Sequence, residues 1–221
     1  MYSEEIKPNT GILLRRNGSE RLMISINEEN LKEIFLINHS KFLTKNINPI
    51  DLEIAPYNYY MIINKSNSQL HIQYNLDISL HQIVYDPYKY KDFEKIEINP
   101  EEFIRKFYIP PGFIDILPKW YSIKFTYPDH NLIFIKPEMG ISIQTHTKRS
   151  EYWEIIDGSP IIINGNEVHY FVESGSIYKH SIGAYHSIFN PNKQNEYVII
   201  KEKWSGDFDE EDIQRLFSPN L

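Results

Sequence analysis

The chain contains no cysteine among its 221 residues. Disulfide frameworks, thiolate metal sites and cysteine nucleophiles are thereby excluded. Alanine occurs only twice, against 36 isoleucines. Alanine is the best helix former, while isoleucine is stiff at χ1 and favours strands, so the imbalance points to β structure. Glycine is scarce, at nine residues, and no Gly-X-Gly stands beside a basic residue. Nucleotidyl transfer requires a glycine-rich loop whose amides approach phosphates closely, and it is not expected here. Positive charge is the minority sign: 23 Lys and Arg stand against 30 Asp and Glu, a net charge of −7. With no basic run longer than a pair such as Lys148-Arg149, nucleic acid is not an expected partner. No apolar run approaches the roughly 18 residues of a membrane span. The acidic start Met1-Tyr2-Ser3-Glu4-Glu5 lacks the pattern of a secretion signal, so a soluble cytoplasmic protein with no membrane partner is the expectation.

What is present is ordinary globular material, 41% hydrophobic and 24% charged, long enough to bury a core. Short apolar runs are punctuated by Pro, Gly, Asn and Asp, which predicts strands over 59–64, 80–85, 132–136, 154–156, 161–163 and 197–201. Asn164-Gly165 between two such runs predicts a hairpin. Strands of this length and spacing indicate a sandwich or barrel. Helix is expected only over 28–36 and 209–217, the second capped by Asp209. The step Leu117-Pro118-Lys119 is the expected boundary between domains 1–118 and 119–221.

The segment 142–158 carries the chemistry. On a strand, Gln144 and His146 share a face; four residues then allow a turn before Glu151. Further on, Gly183 offers a tight turn ahead of His186. Together these four side chains supply two oxygens and two imidazole nitrogens, a set suited to zinc, manganese, iron or cobalt. Taken singly, each also has an ordinary reading: a strand histidine is more often a satisfied core or surface residue, and Glu151 a surface carboxylate.

The joint spacing resembles the cupin superfamily. Gln144-Thr145-His146, Glu151 and Gly158 follow its first motif, and Gly175, Gly183, His186 and Asn190 its second. Ser181 stands in place of the motif proline, Glu138 in place of the opening glycine, and Gln144 in place of the first histidine. Ser142, Gln144, His146, Arg149, Glu151 and Trp153, with the tail Trp204 to Arg215, narrow the resemblance to the C-terminal cupin of type II phosphomannose isomerases. The resemblance implies an all-β jelly-roll barrel, a divalent transition metal on Gln144, His146, Glu151 and His186, a sugar or phosphosugar ligand, and a homodimer. Asp86 to Phe113, through Pro111-Gly112, resembles the deoxysugar 3,5-epimerases and related cupins, with Asp115 where a histidine would stand. The expected architecture is therefore two cupin domains, the first degenerate, plus a short C-terminal helix.

The leading functional expectation is a metal-dependent phosphosugar aldose–ketose isomerase similar to mannose-6-phosphate isomerase. Arg149 would hold phosphate or developing charge, Lys148 would assist, and His180 and Tyr178 are the candidates to carry the proton. The alternatives are a nucleotide-sugar 3,5-epimerase or ketoisomerase, which needs a histidine base, and a non-catalytic sugar-binding cupin.

Overall fold

The computed structural model describes residues 2–194, 196–207 and 210–220. The chain separates into two compact units, Met1–Asp86 with Asn166–Val168, and Pro87–Gly165 with His169–Leu221. The Leu117-Pro118-Lys119 step thus falls inside the second unit, at the turn of a paired hairpin in which Pro118 faces Ile123.

The first unit begins with β1 (Tyr2–Ile6), β2 (Leu14–Arg16), β3 (Leu22–Ser25), β4 (Ile34–Asn38) and β5 (Lys41–Leu43). It continues with β6 (Glu53–Ile54), β7 (Tyr59–Asn64), β8 (Leu70–Tyr74) and β9 (Gln82–Tyr85). One sheet has the order β1-β8-β3-β6; a second runs β5-β4-β7-β2-β9. The helix expected over 28–36 is a single 3-10 stretch, Glu28–Glu33, capped by Asn27, and gives way to β4. Ile34-Phe35-Leu36-Ile37 is β-branched and aromatic, and its ladder with β7 outweighs a short helix that would be marginal alone.

The second unit holds the one α-helix among the described residues, α1 (Pro100–Lys106). Its strands are β10 (Asp115–Pro118), β11 (Ser122–Thr126), β12 (Asn131–Ile135), β13 (Ile143–Thr145), β14 (Arg149–Asp157) and β15 (Ile161–Asn164). There follow β16 (Glu167–His169), β17 (Ile177–His180), β18 (His186–Phe189), β19 (Val198–Gly206) and β20 (Gln214–Phe217). Glu167 of β16 pairs with Lys41 and belongs to the first unit. The second unit's larger sheet runs β10-β11-β12-β19-β14-β17, and its smaller one β20-β13-β18-β15. Every pairing between these strands is antiparallel. The turn expected at Asn164-Gly165 lies one residue on, at Gly165-Asn166, with Gly165 at φ +63°.

The C-terminal helix is not formed. Its expected cap, Asp209, lies outside the described residues; Glu210–Asp212 is one 3-10 turn, and Gln214–Phe217 is the strand β20. Here β13 offers an edge that a nine-residue helix cannot satisfy: Ile143 takes Phe217 as its partner and Gln144 takes Arg215. Phe217 is buried by this pairing, and a buried large apolar side chain contributes about 1.5–3 kcal/mol.

Strand alternation decides what enters the core of this unit. Ile133, Ile135, Trp153, Ile155, Ile188, Val198 and Ile200 form one buried cluster. Above it, the same inward faces continue as Arg149 and Glu151 on β14, Glu202 on β19 and Asn131 on β12, all buried. Polar residues thus replace apolar ones at one end of the same rows.

Candidate metal centre and its cavity

On β14 the period of two turns Arg149, Glu151 and Trp153 to the same side. Register then sets their neighbours. Glu151 faces His180 of β17, and Trp153 faces Glu202 of β19, which in turn faces Asn131 of β12. On the smaller sheet, Gln144 of β13 lies opposite His186 of β18. The amide of Gly183, at φ +74°, donates to the His146 carbonyl over 2.7 Å and ties the loop before β18 to the end of β13. Only glycine adopts that φ without cost.

His146, Glu151 and His186 converge, with one ligand atom from each inside 4.8 Å. Glu151 Oε1 lies 3.0 Å from His146 Nε2, and Oε2 lies 3.5 Å from His186 Nε2. All three side chains are 2% exposed. His186 donates from Nδ1 to the Ala184 carbonyl at 3.1 Å, which leaves Nε2 as a buried lone pair directed at Glu151 without a hydrogen-bond partner. An imidazole fixed through one nitrogen, with the other bare, is how histidine ligands are held for a metal. Mixed nitrogen and oxygen donors with no thiolate suit the divalent ions named above. The three residues therefore fit such an ion.

Gln144 is buried beside them, and its Oε1 accepts from Ser142 Oγ at 2.9 Å. Arg149 is 3% exposed; its Nε donates to Glu151 Oε1 at 2.9 Å, and its Nη2 is 3.3 Å from His146 Nε2. The guanidinium thus spans two of the donor atoms. Lys148 lies on the exposed loop between β13 and β14 and is not among the cavity-lining residues. The carboxylate of Asp212 secures that loop by accepting from the amides of Thr147 and Lys148. Those bonds, that from the Thr147 hydroxyl foremost, pull the Asp212 pKa down to about 2.

His180 is buried outside the cavity, stacked on His186 at 4.8 Å and edge-on to Trp153 at 4.4 Å. Its Nδ1 donates to Asn164 Oδ1 at 3.1 Å, and its Nε2 has no hydrogen-bond partner. Burial, and then the neighbouring His186, pushes its pKa down to about 3, so the ring is neutral.

Two carboxyls meet here with opposite properties. Burial alone would raise Glu151, but the imidazoles of His146 and His186 beside it hold it well below the usual carboxylate range. Burial, and then the negative charge of Glu151, raises Glu202 to about 7. Glu202 accepts from Asn131 Nδ2 at 2.7 Å and from Trp153 Nε1 at 3.2 Å, and the same indole donates to Glu151 Oε2 at 3.2 Å.

A cavity opens above these groups. It is lined by Gln144, Arg149, Glu151, Trp153 and Glu202 and by the basic side chains of Lys119, Lys124 and Arg215, while His146 and His186 are not among its lining residues. Four cationic side chains against two carboxyls give a positive enclosure inside an acidic chain, which concentrates anionic ligands. Sequence reasoning missed Glu202, Asn131 and the basic wall. The alternation Val198, Ile200, Glu202 placed Glu202 inside, but nothing local said what it faced. Asp115, by contrast, is exposed at the head of β10, opposite Thr126.

This all-β architecture, with its polar cluster inside the barrel end, is that of a cupin. The model of the family described as mannose-6-phosphate isomerase C-terminal matches residues 105–218, about half of the chain, and the chain belongs to that family. Over 80 residues, 36% of this chain, it is 38% identical to the mannose-1-phosphate guanylyltransferase ManC of Salmonella typhimurium, covering 16% of that protein. Over 85 residues, 38% of this chain, it is 34% identical to the xanthan biosynthesis protein XanB of Xanthomonas campestris, covering 18%. The matched part thus spans less than a fifth of these curated relatives. Among solved structures, oxalate decarboxylase of Lactobacillus farciminis aligns with 97% of this chain and 78% of its own, at 11% identity and a TM-score of 0.40.

Proposed function

We propose that the second unit is a divalent-metal-dependent phosphosugar aldose–ketose isomerase, acting on mannose 6-phosphate or a close relative. The observation that carries this reading is the convergence of His146, Glu151 and His186, of which Glu151 also lines a cavity with basic side chains, in a chain of this family. Gln144 would complete the ligand set. The ion, when bound, supplies Lewis-acid polarisation of the substrate's adjacent carbonyl and hydroxyl oxygens. Lys119, Lys124 and Arg215 would receive the phosphate, a role first expected of Arg149. Arg149 is engaged by Glu151 and His146, so it would instead orient those donors and face charge developing on the sugar oxygens. The N-terminal half, of which the first unit is the main part, is read as a degenerate cupin that serves structure or dimerisation.

Metal content by mass spectrometry, followed by isomerase assays starting from mannose 6-phosphate, tests the reading. About one transition metal per chain with turnover supports it. A protein that stays metal-free after reconstitution would sink it. One observation favours a second reading, a sugar-binding cupin without turnover: the Arg149 guanidinium already satisfies donor atoms that an ion would use. Saturable sugar phosphate binding with no conversion is the outcome that distinguishes it.

A further inference from the structure

Aldose–ketose isomerisation needs a group that takes a proton from one carbon and returns it to the next. That group must reach the substrate. His180 and Tyr178, the residues first considered for this role, are not among the cavity-lining residues, whereas Glu202 is. Glu202 is held from both sides, with one oxygen on Asn131 and the other on the Trp153 indole. Both partners are themselves 1% exposed, so the carboxyl is fixed in direction. The indole hydrogen is shared with Glu151, which sets the two carboxyls side by side in the cavity lining, one within the candidate metal cluster and the other outside it.

We propose that Glu202 is the catalytic acid–base of this site, an inference that rests on the isomerase reading above. Its carboxylate takes the proton from C2 of the open-chain aldose phosphate. The C–H electron pair becomes the C1–C2 double bond, and the carbonyl π pair moves to O1. The carboxylic acid then returns its proton to C1, while the O2 proton is transferred to O1 and C2 becomes the carbonyl. Atoms balance with no co-reactant. The charged groups facing Glu202 are Glu151, which favours its protonated form, and Lys124 and Arg149, which oppose that.

The test uses the full-length protein reconstituted with a divalent metal, in deuterated water, with mannose 6-phosphate and fructose 6-phosphate as probes. Proton NMR follows wash-out of the carbon-bound hydrogens, and calorimetry follows sugar phosphate binding. Glu202→Gln keeps shape and hydrogen-bonding capacity but cannot take a proton. It should lower wash-out and turnover by about 100-fold or more while affinity changes by only a few-fold. Glu202→Asp should recover part of the rate, and it decides the matter if the glutamine variant does not fold. An active wild type with Glu202→Gln within a few-fold of it overturns the role of Glu202 and leaves the isomerase reading standing. A wild type that binds both sugars and exchanges no hydrogen overturns that reading, and this inference with it.

Discussion

Buried polar groups are treated differently in the two units. In the first, Asn64 is fully buried; its amide donates to the carbonyls of Ile6, Lys7 and Ser68, and its oxygen accepts from the amide and hydroxyl of Ser66. Asn17 likewise donates to the carbonyls of Glu20, Ile54 and Ala55. Each side chain joins separate backbone segments and is used up in doing so. In the second unit, His146 Nδ1, His180 Nε2 and His186 Nε2 are buried with no hydrogen-bond partner, and these rings cluster. An unpaired buried polar group costs about 1–3 kcal/mol. Satisfied polar residues hold a fold together; unsatisfied ones that converge mark a place kept ready for something else.

The largest effect should come from breaking the convergence. Glu151→Ala removes the carboxylate shared by Arg149 and both histidines. It should abolish metal retention and lower stability by roughly 3–5 kcal/mol, the range for stripping one partner from a buried ion pair. Elemental analysis and denaturant unfolding read the two losses, and a variant that keeps its metal would contradict the assignment. Asn64→Ala should be the mirror case. It leaves backbone groups of the first unit unpaired, so a loss of about 3 kcal/mol is expected while metal content stays unchanged. A fall in metal content would show that the contrast between units is too sharply drawn.

The smallest effect is a pH dependence. Glu202 is raised to about 7 in the folded protein from an ordinary 4.5. Between those values the folded state holds a proton that the unfolded state has released. Stability therefore falls as pH rises from about 4.5 to 7, by a few kcal/mol in all. Glu202→Gln should flatten that slope, measured as the unfolding midpoint against pH; an unchanged slope would mean that Glu202 ionises normally.

How much of this was legible depended on the range of the interactions. The strand Tyr59–Asn64 was read from its composition alone, because a β-branched and aromatic run needs no distant information. The grouping of His146 with Glu151 and His186 was legible because motif spacing encodes two strands and their turns. The helix α1 escaped notice although its signals were local: Asn99 caps it, Pro100 opens it, Glu101 and Glu102 fill its first turn, and Arg105 and Lys106 its last. Those residues had been absorbed into a resemblance spanning 86–113. The segment 209–217 was misread because its acidic turn and apolar spacing do suit a helix. The edge of β13 that captures it is about 70 residues away in sequence, and Asp212 is drawn off to the amides of Thr147 and Lys148. Glu202 was overlooked for the same reason, since Trp153, which gives it meaning, lies 49 positions upstream.

Trp153 also makes the site observable. It is one of three tryptophans, 1% exposed, with its N–H shared between two carboxyls and His180 against its ring. An indole so placed is a fluorophore wired to the protonation and occupancy of its surroundings. Its emission offers a label-free optical record of what enters the cavity, built into the chain by the register of two strands.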